Sequence, residues 1–205
     1  MGVSKPNPSP PFQLVAGHPA LDFINTLDWR FRESGPDELL QSYDHLLRFI
    51  EQSKMLPAKQ TQLLHPTSKS AGVRVLNACI EFREAMAEVS YAWLDGRNPS
   101  AAPLRTLERH FKAAQFRQRL CWKGSQLEWS WSGMETEAEL PLWLLSLATS
   151  DLMVSEAVQR VRACDNEECR WLFLDTSKNH TRRWCDMKLC GNRMKARRFK
   201  AQKKT

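Results

Sequence analysis

Four cysteines near the C-terminal end restrict this chain more than any other feature. Cys164 and Cys169 are separated by four residues, fifteen more follow, and Cys185 and Cys190 are again separated by four. Two matched pairs across such a gap have the form of a structural zinc site. Zinc takes four soft ligands in a tetrahedron, with thiolate sulfurs about 2.3 Å from the metal. Each pair must therefore sit on a tight loop, and Asp165-Asn166-Glu167-Glu168 is a turn-prone insert of that kind. The gap must bring the chain back to the same point. Arg170 to Asp175 reads as a strand, with Arg182 to Cys185 returning beside it, and Cys190 then opens a helix through Arg193, Met194, Arg197 and Lys200. The alternative is four free thiols, which in so basic a segment would have depressed pKa values and oxidise readily. Four cysteines complete the metal shell, so His180 reads as facing solvent or phosphate. Cys79, on an apolar helix face, and Cys121, in a strand, read as packing residues.

Charge is concentrated at the same end. Residues 178–205 hold eleven Lys or Arg and one acid, Asp186, for a net +10; the whole chain is +7, so residues 1–177 carry −3. Four thiolates and one Zn²⁺ would subtract only two charges. A mildly acidic body with a strongly basic end points to a polyanionic partner, against the alternative of a solvated basic tail. On a helix starting near Cys190, Arg193, Arg197 and Lys200 share a face. Such a stripe would meet phosphates, with one or two Arg reaching base edges. The candidate nucleic-acid contacts are Arg182, Arg183, Lys188, Asn192, Arg193, Lys195, Arg197, Arg198 and Lys200. Asn192 could bond a knuckle carbonyl or a base, and Gly191 allows close approach of backbone to metal or phosphate. Trp184 reads as a lid on the small core.

The body reads as mostly helical α+β. Leu21, Phe23, Ile24 and Leu27 give helical spacing after an extended entry, and Ser42 caps a helix over 42–52 with Leu46, Leu47 and Ile50 on one face. Residues 57–70 read as a polar connector. The clearest helix spans about 71–95, with Val75, Leu76, Cys79, Phe82, Met86, Val89 and Trp93 at three- and four-residue steps. Another covers 100–115, with Leu104, Leu107 and Phe111 inward. A β-hairpin follows over 117–131, with Leu127, Trp129 and Trp131 on one side. Residues 137–149 and 150–160 read as two helices or one kinked helix, the second capped by Ser150 or Asp151. Domain boundaries fall at 12–160 and 161–205. Met1 to Pro11 is a Pro- and Ser-rich lead-in without the apolar core of a signal peptide, and no apolar run reaches 18 residues, so the expected compartment is the cytoplasm and no membrane is involved.

Cys190-Gly191-Asn192-Arg193 spells C-G-N-R. Together with C-x4-C, FLD-x-S and RRWC-x4-CGNR-x-K, this resembles the CGNR zinc finger of bacterial proteins. The segment GHPALDFINT resembles the entry of the ABATE domain that accompanies that finger. The resemblance implies a stress-induced transcription regulator. It would have an α+β N-terminal domain that senses a ligand and a treble-clef-like, four-cysteine finger that binds DNA. The family's zinc ligands carry over to Cys164, Cys169, Cys185 and Cys190.

Within the body, His18, Asp22, Asn25 and Trp29 could line an effector pocket; the other reading of these residues is capping and anchoring hydrogen bonds. No catalytic set is present: there is no Gly-rich phosphate loop, H-E-x-x-H or nucleophile elbow, so an enzyme is not expected. An RNA- or ribosome-binding factor using the same finger is the alternative to a DNA-binding regulator, and DNA follows mainly from the resemblance. A homodimer stays open.

Overall fold

A computed structural model describes residues 12–203 apart from 65 and 132, together with every side chain in that range except that of Arg198. The lead-in Met1 to Pro11 lies outside the described residues. Seven α-helices and three separate two-stranded antiparallel sheets are present among them, so the architecture is α+β and mostly helical. No described helix is long and apolar enough to cross a membrane.

The chain opens with α1 (Pro19–Ile24), and its buried Leu21, Phe23 and Ile24 make it a central element despite its length. A short ribbon follows, β1 (Leu27–Asp28) against β2 (Asp37–Glu38). Ser42 caps α2 (Tyr43–Gln52) as its spacing predicts, its hydroxyl accepting from the His45 amide at 3.2 Å. The buried face of α2 is Leu46, Phe49 and Ile50, while Leu47 is half-buried. The expected polar connector contains a short helix, α3 (Ala58–Thr61), started by Pro57. The long helix α4 (Lys69–Leu94) begins under a Ser68 cap and ends at Gly96, whose φ of +69° suits the left-handed turn that closes a helix.

Helix α5 (Ala101–Arg117) buries Leu107 and half-buries Phe111, but Leu104 is 45% exposed, contrary to its expected inward position. The hairpin β3 (Arg119–Lys123) and β4 (Gln126–Ser130) pairs Lys123 with Gln126 around Gly124-Ser125. Helix α6 (Leu140–Val154) is one continuous helix rather than two, and neither Ser150 nor Asp151 caps anything: the break falls at Ser155. Within it the Ser146 and Thr149 hydroxyls donate to the carbonyls of Leu142 and Leu145, four residues back, at 2.6 and 2.7 Å. Those bonds satisfy the polar groups inside an apolar helix.

One core runs from α1 and α4 through α6 to the cysteine region. Arg83 sits inside it, 1% exposed, on the otherwise apolar helix α4. Its guanidinium forks onto Glu38 at 2.8 and 2.6 Å and also donates to the Thr26 hydroxyl at 3.0 Å. A buried charge is tolerable only when paired in this way, and the pairing fastens the β1–β2 ribbon to α4.

Candidate metal centre

A 3₁₀ turn (Glu156–Arg160) leads from α6 into β5 (Val161–Ala163), which pairs with β6 (Leu172–Leu174). The first cysteine pair is the loop of this hairpin: Cys164 follows β5 and Cys169 precedes β6. Within the loop, the amides of Cys169 and Arg170 both donate to the Asn166 carbonyl at 2.9 Å, and Arg170 takes φ +48° to complete the turn. The partner of β6 is thus β5, and not the expected 182–185 segment. That segment is held by other bonds, since the Asp165 amide donates to the Arg183 carbonyl at 2.9 Å and Arg182 is bound elsewhere.

The second pair is built on Asp186. Its carboxylate accepts from the Lys188 and Leu189 amides, capping a single wide turn, Met187–Gly191, that carries Cys190. Helix α7 (Asn192–Gln202) follows directly, two residues later than a helix opened by Cys190 would start. Gly191 leaves room for the side chains packed over it. A Cβ there would lie 2.6 Å from the Met187 sulfur and 3.2 Å from the Trp184 ring.

All four cysteine sulfurs lie within 4.8 Å of one another, and all four residues are buried. The Cys169 and Cys185 sulfurs are 3.9 Å apart. A disulfide needs about 2.05 Å, whereas a tetrahedral Zn–S₄ centre with 2.3 Å bonds has sulfur–sulfur edges of about 3.8 Å. The donor set therefore fits one structural zinc ion held by Cys164, Cys169, Cys185 and Cys190, with no open position for substrate. Asn166 donates to the Cys190 sulfur at 3.5 Å, the kind of outer contact that steadies a thiolate ligand. Packed together without a cation, the four thiols cannot share charge evenly. Mutual contact pushes the Cys169 and Cys185 thiols upward and draws those of Cys164 and Cys190 downward. A dication at the centre removes the conflict by accepting all four as thiolates.

A second pin escaped the sequence reading. Asp175, fully buried, accepts from the Ser177 hydroxyl and amide at 2.6 and 3.0 Å and from the Arg182 amide at 3.0 Å. Burial pushes its carboxyl upward, but these donors outweigh burial and hold it below the usual range. They explain the FLD-x-S pattern, in which the aspartate closes the loop between the cysteine pairs. His180 faces solvent on that loop, with its Nδ1 3.2 Å from the Asp175 carbonyl.

The basic residues divide into anchored and free. Arg182 is committed: it donates to the carbonyls of Trp184, Cys185 and Val15 and lies over the Phe173 ring at 4.3 Å. Arg183 pairs with Asp165 at 2.5 Å, Arg197 with Glu168 at 3.2 Å, and Arg193 covers the Trp29 ring at 4.6 Å. Lys188, Lys195 and Lys200 are exposed and make no ion pair among the described residues, and Asn192 is exposed with no side-chain hydrogen bond there. The Arg198 side chain lies outside the described set.

Three of the polar residues expected around an effector pocket hydrogen-bond to backbone. His18 Nδ1 accepts from the Ala20 amide at 3.2 Å, and Asp22 accepts from the Ala16 amide at 2.9 Å. Asn25 accepts from the Leu172 amide and donates to the Leu172 carbonyl, both at 2.9 Å. Trp29 supports Arg193. Asn25 and Trp29 thus join body to finger, helped by Leu174 N to Ala16 O at 2.7 Å and Tyr91 Oη to Arg170 O at 3.0 Å. A cavity of about 360 Å³ does exist, walled by Leu21 and Ile24 of α1, Met86 and Ser90 of α4, Thr149 of α6 and Val161 of β5.

Two family models match the chain. Residues 160–203 match the model of the CGNR zinc finger. Residues 17–156 match that of the ABATE domain, described as "Putative stress-induced transcription regulator". No curated protein matches the chain. The ABATE match covers well over half of the sequence, so the chain belongs to the ABATE family and carries a CGNR zinc finger after that domain.

Proposed function

We propose that this protein is a DNA-binding transcription regulator. On this reading the zinc centre holds a basic surface against duplex phosphates and the helical body responds to a small molecule. The observation that carries the reading is a set of exposed lysines, Lys188, Lys195 and Lys200, which make no ion pair among the described residues, on a turn and helix whose first residues are fixed by a metal ligand. Phosphate contact needs cations held in place and not already neutralised. Arg183, Arg193 and Arg197 flank them in contacts that a phosphate could replace, whereas Arg182 is spent on the fold.

Fluorescence anisotropy with a random-sequence duplex tests this. Affinity should fall with salt with a log–log slope of about −3.6 to −4.5, for roughly four to five phosphates, and replacing the three lysines by Gln should remove about 2.7 from its magnitude. A flat salt dependence, or tighter binding of single-stranded RNA than of the duplex, would contradict the reading.

An effector fits the cavity beside α1. Its volume of about 360 Å³ falls in the range of small-molecule sites, and no ionisable side chain lines it, so an uncharged, mainly apolar molecule suits it. The neutral fluorophore N-phenyl-1-naphthylamine should brighten on binding there, and Ser90→Trp, which fills the space, should abolish the signal.

A further inference from the structure

The hairpin β3–β4 is inside out for a lone molecule. Its register pairs Leu120 with Trp129 and Trp122 with Leu127, which places all four on one face. Those side chains are 53%, 64%, 67% and 58% exposed, respectively. The half-buried positions are Cys121, Glu128 and Ser130, on the polar face, where Glu128 also meets Lys123 at 3.4 Å and Gln126 at 2.8 Å. An amphipathic ribbon ordinarily turns its apolar side inward, and an isolated two-stranded hairpin is marginal in water.

The ribbon nevertheless has a defined place. Gly124, at φ +61° and followed by Ser125 without positive φ, gives the tight turn type that suits a two-residue hairpin loop. At its root, Trp131 stacks on Trp143 with centroids 5.9 Å apart, and the Arg117 guanidinium lies 4.9 Å from the same Trp143 ring. The apolar face is thus presented at a fixed position.

We propose that this face is covered by the same face of a second copy, forming a two-fold dimer. Leu and Trp alternate both along and across the strands. A two-fold axis lying in the plane of the face, parallel or perpendicular to the strands, therefore sets each Trp of one copy opposite a Leu of the other, large against small. The face matches itself, as an isologous contact demands. It holds no charge, which makes a polyanion an unsuitable occupant. From the exposed fractions, the four side chains offer about 500 Å² per copy, so covering them fully buries about 1,000 Å² in a pair, the size of a weak, reversible interface. Two copies would also bring two basic fingers into one particle; that consequence rests on the DNA reading, but the dimer does not.

Sedimentation of the full-length, zinc-loaded protein over a hundredfold concentration range tests the proposal without DNA. The mass should climb from 23.7 kDa toward twice that value through the micromolar range. Trp122→Glu and Trp129→Glu should each weaken the dimer at least about tenfold, because each residue is used twice. Both variants should keep their zinc and their circular dichroism spectrum, since the altered face is exposed. Glu128→Gln, on the opposite face, should leave the dimer intact. A monomer at every concentration overturns the proposal, and so does a dimer that neither Trp variant weakens.

Discussion

Asn25→Ala should cost far more than its single small side chain suggests. Asn25 is 4% exposed and Leu172 fully buried, and the two exchange a pair of 2.9 Å hydrogen bonds across 147 residues of sequence. Removing the amide strands both the N–H and the C=O of Leu172 in the core. Each stranded group costs about 1–3 kcal/mol, for a total of about 2–6 kcal/mol. Against an ordinary total stability of about 5–15 kcal/mol this is severe. At about 2–4 °C per kcal/mol for a chain of this length, a mid-range loss of about 4 kcal/mol lowers Tm by about 8–16 °C. Urea unfolding followed by far-UV circular dichroism, with zinc present throughout, measures the loss directly. Asn192→Ala provides the comparison: the chemistry is the same but the side chain is exposed and without a partner among the described residues, so its effect should stay within about 0.5 kcal/mol. A loss below about 1 kcal/mol for Asn25→Ala would refute the view that this exchange welds the finger hairpin to α1.

Asp22 is pushed up to about 6 by burial, which outweighs the Ala16 and Val15 amides, so its charged form opposes folding. That penalty is absent below the unfolded pKa near 3.8, grows between there and 6, and reaches about 3 kcal/mol at neutral pH. Asp22→Asn should therefore be the more stable protein in thermal melts above pH 6, with its advantage gone by about pH 4; a pH-independent difference would contradict this. Gly191→Ala should cost about 1 kcal/mol by crowding Met187, and adding Met187→Ala should recover most of it, whereas equal losses in single and double variants would place the strain elsewhere. Stripping zinc with a chelator should lower the melting temperature of the helical body as well as the finger, because Leu172 and Leu174 hydrogen-bond to Asn25 and Ala16; a body transition indifferent to chelation would mean two independent units.

Local chemistry was legible in the sequence; distant partnership was not. The cysteine spacing is a local signal of a metal loop, and Ser42 before an apolar periodic run is a local signal of a helix start. Both appear where expected. The basic stripe was legible as charge, but which of its members are free was not. Arg182 differs from Lys188 only through contacts with Val15, Trp184 and Phe173 that fold geometry creates. His18, Asp22 and Asn25 read in the sequence as pocket-lining or as capping and anchoring residues, and the partners that decide lie in the backbone at Ala20, Ala16 and Leu172. Periodicity could not reveal Arg83, because a charged residue on a helix reads as a solvated position until Glu38 and Thr26 are folded against it. The pairing of β6 with β5 was missed because Val161-Arg162-Ala163 is too short to show alternation.

X-ray absorption at the zinc edge, combined with metal analysis of the purified full-length protein, tests the central claim most directly. One zinc per chain with a shell of four sulfurs at about 2.3 Å is the predicted result. Zinc well below one per chain in metal-replete protein, or nitrogen or oxygen replacing sulfur in the shell, would contradict the assignment of Cys164, Cys169, Cys185 and Cys190 as its ligands.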